Sequence, residues 1–178
     1  MLQNIFIFIA ILVTAAFQSS FLPHFFSPEH IPDLMLIIVI FAATRADFSK
    51  ILVWVILAGI VTDMTYFAPL GLNVFVFVVL AFASNFLARR ILVTHGIWNF
   101  LTMFGVVIVG TFLNDWILAI FGEIISRSNL HYSLGLFFGK DIFIKVLFNL
   151  ITFLLIYWPL RKINNYFNAY YSRTRIFK

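Results

Sequence analysis

Runs of Phe, Ile, Leu and Val alternate along the chain with short polar or basic stretches. Because about 20 apolar residues in a helix span a bilayer, each run predicts one membrane-spanning helix. Pro, Gly and charged residues separate six such runs, at about residues 4–22, 32–44, 51–63, 72–88, 97–121 and 141–160. The pattern predicts an all-α polytopic membrane protein, a six-helix transmembrane bundle. A basic aromatic tail over residues 163–178 is expected to follow it.

The second and third runs are short for a full span. The second starts at Pro32 and Asp33, and the polar stretch 45–50 separates it from the third. Such helices are tilted, flanked by snorkelling residues, or packed where protein shelters irregular backbone. The first run has the length of a signal-peptide core, but no Lys or Arg precedes it and no small-residue cleavage site follows. We therefore interpret it as a retained first helix.

Composition supports a lipid environment. The 178 residues are 63% hydrophobic and 11% charged, outside the range of soluble domains, with a mean hydropathy of +1.04. Six spans leave no room for a separate catalytic domain. The chain has no cysteine, which excludes disulfides, thiolate metal sites and cysteine nucleophiles.

The basic residues predict the orientation of the bundle. The formal net charge of +5 indicates membrane topology rather than nucleic-acid binding, because Lys and Arg favour cytoplasmic loops. With a cytoplasmic N-terminus, Arg127 and Lys140 lie outside. The larger basic set then lies inside with both termini, and it comprises Arg45, Lys50, Arg89, Arg90, Arg161, Lys162, Arg173, Arg175 and Lys178.

Acidic residues in or beside spans are functional candidates, because a charge at the bilayer centre costs about 2.5–3.5 kcal/mol on insertion scales. Asp33 and Asp141 begin helices, where the helix dipole stabilises a carboxylate. Asp115 follows Asn114 inside the fifth run. We expect it to face the bundle interior, protonated or hydrogen-bonded to a Thr or Asn. A proton relay is the weaker interpretation, since no His or second acid continues it.

Asp63 ends the third run and lies four residues after Gly59, on the same helical face. A glycine there lets another helix approach beside the carboxylate. Three roles are open for Asp63: capping the next helix, pairing with a basic residue, or holding a partner protein. The residues of the following turn that we select with it are Pro69, Leu70, Gly71 and Asn73.

No enzyme motif is present. The histidines, His24, His30, His95 and His131, do not form a metal site, and neither a Ser-His-Asp order nor a Walker loop occurs. We expect no metal and no cofactor.

Three features together resemble the rod shape-determining protein MreD family. They are Pro32-Asp33-Leu34-Met35-Leu36-Ile37, the spacing of Gly59 and Asp63, and Pro69-Leu70-Gly71 beyond that acid. The resemblance extends to the polar fifth helix with Asp115. It also includes the ending Tyr157-Trp158-Pro159-Leu160-Arg161-Lys162.

The resemblance implies a non-enzymatic scaffold of cell-wall elongation in the bacterial inner (plasma) membrane. Its expected partners are membrane lipid and a bitopic protein of the MreC kind, and indirectly MreB, a RodA-type glycosyltransferase and a class B transpeptidase. It also implies a fold similar to the substrate-binding subunits (S-components) of energy-coupling-factor vitamin transporters. Two alternatives remain: a small-molecule-binding subunit of such a transporter, and a lipid- or proton-handling enzyme.

Overall fold

The computed structural model describes residues 2–27, 30–66, 70–91, 97–126 and 140–176. These residues are almost entirely helical, with no strand among them. The main helices are α1 (Leu2–Ala16), α2 (Leu34–Arg45), α3 (Phe48–Thr65), α4 (Leu72–Ile91), α5 (Ile97–Ser126) and α6 (Lys140–Ile176). α1 continues as a π-helical turn, Phe17–Phe21, and a 3-10 turn, Leu22–His24.

The helices confirm the predicted all-α polytopic membrane protein. Among the described residues, five helices are long and apolar enough to cross a membrane, and α2 is a shorter apolar helix. Several helix boundaries differ from the sequence prediction; α5, for example, continues to Ser126 instead of ending at residue 121. α3 begins at Phe48, so that only Ala46 and Asp47 separate it from α2, and it is 18 residues long rather than short. α6 continues through Pro159 and past residue 162 to Ile176.

α2 is the central helix of the bundle. It contacts each of the other five main helices, and eight of its twelve residues are buried. At 1.5 Å per residue it is about 18 Å long, well short of the ~30 Å hydrocarbon core. The stretch before it is not helical, yet Pro32 and Asp33 are buried. Of the three explanations for a short second helix, shelter of irregular backbone by protein matches this geometry.

Contacts along α2 establish how the helices are directed. At its start, the backbone N–H of Asp33 donates to the side chain of Asn149 of α6. Near its end, the ring of Phe41 packs against Tyr157, also of α6. α6 therefore runs parallel to α2. We call the end of the bundle that contains Asp33 the Asp33 end, and the opposite end, with Arg45, Lys50, Arg89, Arg90, Arg161 and Lys162, the basic end.

The outside of the bundle is apolar. Large hydrophobic side chains are exposed on α1 and α6, including Val13, Leu155 and Trp158. In water such a surface would drive aggregation, whereas in a bilayer it contacts lipid chains. Polar side chains are instead buried between helices, with Asp63 and Asn149 fully inaccessible.

Candidate functional site

Asp63 organises the turn between α3 and α4. Its Oδ1 accepts hydrogen bonds from the backbone N–H of Asn73 at 3.0 Å and from Asn73 Nδ2 at 2.8 Å. Its Oδ2 accepts the backbone N–H of Gly71 at 2.7 Å. These N–H groups lie at the start of α4, where helices leave backbone donors unsatisfied. Three roles were open for Asp63, and its hydrogen bonds correspond to the first of them, the capping of α4.

The described part of the turn held by Asp63 includes an exposed apolar residue. Gly71 has a φ of 98°, a left-handed conformation that side-chain-bearing residues rarely adopt. Leu70, just before it, is 73% exposed, whereas Asp63 and Asn73 are buried. Pro69, also selected from the sequence, lies outside the described residues. Among the described residues of the turn, Leu70 is therefore an exposed apolar side chain next to groups that the buried acid holds.

Gly59 permits the close approach of α3 and α4 beneath this turn. A Cβ atom on Gly59 would lie 2.5 Å from Val74 Cα and 2.7 Å from Val74 N. Atoms this close overlap, and backbone atoms cannot move aside by changing a rotamer. The glycine therefore brings α4 against α3 one residue after Asn73, as small residues do at membrane helix interfaces.

A second polar cluster surrounds Asp33, which caps α2. Asp33 Oδ1 accepts the backbone N–H of Leu36 at 3.0 Å. Gln18 Nε2 donates to the same oxygen at 3.3 Å, and Gln18 Oε1 accepts the backbone N–H of Met35 at 3.1 Å. Gln18 lies in the π-helical turn of the first span and is buried. Two side chains thus satisfy the first turn of α2.

Amide side chains of α5 and α6 complete the cluster. Asn149 Oδ1 accepts the backbone N–H of Asp33 at 2.6 Å, and Asn149 Nδ2 donates to Thr111 Oγ1 at 2.8 Å. Asn114 Nδ2 donates to Asp33 Oδ2 at 3.4 Å. Each of these hydrogen bonds lies inside the bundle, where water does not compete. They tie α2, α5 and α6 together at the Asp33 end.

Asp115 pairs with a basic residue. Lys145 Nζ of α6 lies 2.5 Å from Asp115 Oδ1, and both side chains are mostly buried. The sequence suggested a protonated acid or a hydrogen bond to Thr or Asn, so the partner was not foreseen. Asp115 and Lys145 are on different helices, α5 and α6, and nothing in the pattern of either run indicates that they meet.

Asp141 lies in the first turn of α6. Its Oδ1 is 3.3 Å from His30 Nε2, and His30 Nδ1 is 2.6 Å from Ser27 Oγ. The Asp141 side chain is about half exposed, so this contact is worth little energy. It links the connection before α2 to the start of α6.

An apolar cavity of about 220 Å³ lies between α1, α2 and α3. Its lining is almost wholly apolar, and the hydroxyl of its one threonine, Thr14, donates to the Ala10 carbonyl at 2.8 Å. Small-molecule sites combine apolar walls with a few polar groups that fix the ligand. This cavity suits hydrocarbon better than a polar vitamin.

Sequence reasoning found the acids but missed their partners. Gln18, Thr111, Lys145 and Asn149 are not among the residues that the sequence selects, because each of the selected polar residues is an acid, lies beside an acid, or belongs to the turn after Asp63. The sequence does contain a feature that indicates Gln18 and Asn149 as residues with buried hydrogen-bond partners. Each is a carboxamide inside an apolar run, and a buried amide needs a partner.

The comparisons with known proteins agree with this architecture. The family model described as rod shape-determining protein MreD matches residues 1–163. Comparisons with the curated proteins and with the solved structures found no match. The matched region contains both polar clusters and nearly the whole bundle, and the chain therefore belongs to the rod shape-determining protein MreD family.

Proposed function

We propose that the chain is a non-enzymatic scaffold of the cell-wall elongation machinery, and that it binds a bitopic protein of the MreC kind through the turn between α3 and α4. The observation that carries the proposal is the exposed Leu70, presented by a turn that Asp63 holds with three hydrogen bonds. Through this partner the chain would link MreB to a RodA-type glycosyltransferase and a class B transpeptidase.

Family membership gives the coarser part of this account. The family is one of shape-determining structural proteins, and it gives the chain a role in rod shape determination. It also places the chain in the bacterial inner membrane, in agreement with the helices. The identity of the partner and the contact surface are the parts that we propose.

The turn has the physical properties of a docking surface. Groups that are already held in place lose little conformational entropy on binding, and the backbone N–H groups of Gly71 and Asn73 are held by Asp63. Exposed apolar side chains flank the turn as well, with Met64 62% exposed and Tyr66 42% exposed. We define Met64, Tyr66 and Leu70 as the turn patch.

Asp63 contributes by positioning the turn patch. Its side chain is completely buried, so it presents no surface to a partner. Leu70 is the most exposed residue of the turn patch and the one that we expect to contact the partner. With the orientation proposed from the basic residues, the turn patch faces away from the cytoplasm, where it can meet the extracytoplasmic part of a single-span partner.

Leu70→Ser should lower the recovery of the bitopic partner about tenfold in a mild-detergent pull-down from native membranes. The loss is expected because a buried Leu contributes about 1.5–3 kcal/mol, and 1.4 kcal/mol is tenfold in affinity. Co-purifying proteins are quantified by mass spectrometry at equal membrane abundance of the bait. The matched control is Leu155→Ser, since Leu155 of α6 is 71% exposed.

Unchanged recovery with Leu70→Ser, or an equal loss with Leu155→Ser, would remove the turn patch from the interface. Recovery of an ATPase pair with a membrane coupling subunit, in place of shape proteins, would overturn the scaffold function. The chain would then be the small-molecule-binding subunit of an energy-coupling-factor-type transporter.

A further inference from the structure

The basic end of the bundle contains a second, polar cavity. It has a volume of about 380 Å³ and lies between the α2–α3 connection and the last turns of α4. Its charged and amide lining residues are Arg45, Asp47, Lys50, Asn85 and Arg89. A water molecule occupies about 30 Å³ of liquid volume, so this cavity is large enough for an anion of several heavy atoms.

Asn85 builds the floor of this basic cavity. Its Nδ2 donates to the carbonyl oxygens of Ala43 and Ala46, each at 2.8 Å. Those carbonyls are at the C-terminal end of α2, where backbone acceptors are left over. Asn85 Oδ1 accepts the Nε–H of Arg89 at 2.9 Å. The amide therefore joins α4 to α2 and fixes the guanidinium of Arg89.

Asp47 positions two of the cations. One of its carboxylate oxygens lies 2.8 Å from Lys50 Nζ and the other 2.8 Å from an amino nitrogen of Arg89. The hydrogen bond and charge of Lys50, followed by the charge of Arg89, lower the pKa of Asp47. The cavity thus has three cationic side chains for one carboxylate.

Arg45 supplies the excess charge. Its guanidinium lies over the ring of Phe41, 5.3 Å from the centroid. Its Nε is buried and has no hydrogen-bond partner among the described residues. Arg45 therefore adds a positive charge that the single carboxylate of the cavity lining, Asp47, does not balance. This excess positive charge favours an anionic ligand.

We propose that the basic cavity binds the phosphate of an anionic phospholipid from the cytoplasmic leaflet. Guanidinium groups match phosphate oxygens in geometry and charge. Basic pockets between helices at the cytoplasmic surface are suited to lipid headgroups. The site is independent of the turn patch, which lies at the other end of the bundle.

The surroundings of the basic cavity favour a lipid over a soluble anion. Phe82 and Phe86 of α4 are 58% and 47% exposed and stack along the outside of the helix. Phe48, next to Asp47, packs edge-on against Phe82. This apolar rim offers acyl chains a surface on the same α3–α4 face that supplies Lys50 and Arg89.

Arg45→Gln should reduce the retention of phosphatidylglycerol about fivefold, the effect of one basic residue near a membrane surface. The full chain is placed in nanodiscs of phosphatidylcholine with a minor share of phosphatidylglycerol, and retained lipids are counted by native mass spectrometry. Arg90→Gln is the matched control. It removes one charge from the same basic end of the bundle, but Arg90 lies over Phe86 and does not line the cavity.

The proposal predicts that the wild-type protein retains phosphatidylglycerol in preference to phosphatidylcholine. This preference should be lost in Arg45→Gln and kept in Arg90→Gln. If Arg45→Gln does not fold, Lys50→Gln replaces it in the test. The Lys50 side chain is exposed, and its substitution should also lower the retention of phosphatidylglycerol. Equal losses in the variant and the control would show general surface attraction and contradict the proposal. Inorganic phosphate binding without a preference for phosphatidylglycerol would assign the cavity to a soluble anion and contradict the lipid source.

Discussion

Gly59→Ala is expected to lower the free energy of unfolding by about 3 kcal/mol, the upper part of the range for overpacking. The added methyl would lie 2.5 Å from the Cα atom of Val74. Because the clash is with backbone, α4 must move away from α3. That movement also strains the hydrogen bonds between Asp63 and Asn73. Thermal and denaturant unfolding of the purified protein in one detergent measures the effect.

Gly105→Ala is the matched control for this substitution. Gly105 lies inside α5, and a Cβ atom there would meet nothing within 4 Å. Since Ala favours helix over Gly by about 1 kcal/mol, Gly105→Ala should leave stability unchanged or raise it. Equal stability of the two variants would contradict the close contact between α3 and α4.

Asp63→Ala is expected to cost about 3 kcal/mol or more. The substitution removes three hydrogen bonds, and a typical intramolecular hydrogen bond contributes about 0.5–1.5 kcal/mol. It leaves the side chain and backbone N–H of the buried Asn73 unpaired, and it also frees the partly buried backbone N–H of Gly71. The same unfolding measurements apply, together with the recovery of the bitopic partner.

Asp141→Ala is the control for removing an acid at the same end of the bundle. Asp141 is about half exposed and makes one 3.3 Å contact with His30, so its loss should cost below about 1 kcal/mol. Partner recovery should fall with Asp63→Ala and remain with Asp141→Ala. If Asp63→Ala unfolds like the wild-type protein, Asp63 does not hold the turn.

Much of the fold was predictable from the sequence, because few kinds of backbone structure can cross a lipid bilayer. A membrane helix must satisfy its backbone hydrogen bonds internally, so each apolar run indicates one helix. The contact beneath the turn was also readable. Gly59 and Asp63 lie one turn apart, and this spacing predicted a close helix approach that the structure places at Val74.

The predicted start of α3 was three residues too late. The polar stretch 45–50 suggested a linker, but α3 begins at Phe48. Charged residues at a membrane surface do not end a helix, since they face water or one another. Lys50 is an example: it belongs to α3 and pairs with Asp47, three residues earlier.

The pairing of polar side chains could not be predicted, because it depends on distances between helices. Asn149 follows Asp33 by 116 residues, yet its side chain accepts the Asp33 backbone N–H. Similarly, Lys145 lies 30 residues after Asp115, and only the fold brings the two side chains together. The periodicity of a run predicts on which face of its helix each residue lies. Whether two side chains on different helices meet depends also on how the helices are rotated and shifted relative to each other.

Contact between Leu70 and the bitopic partner is the central claim, and in-cell photo-crosslinking tests it most directly. A photo-reactive amino acid replaces Leu70 in one strain and Leu155 in another, and crosslinked proteins are identified by mass spectrometry. We predict a strong crosslink from position 70 to a bitopic shape protein and none to that protein from position 155. Equal crosslinks from both positions, or none from position 70, would contradict the account.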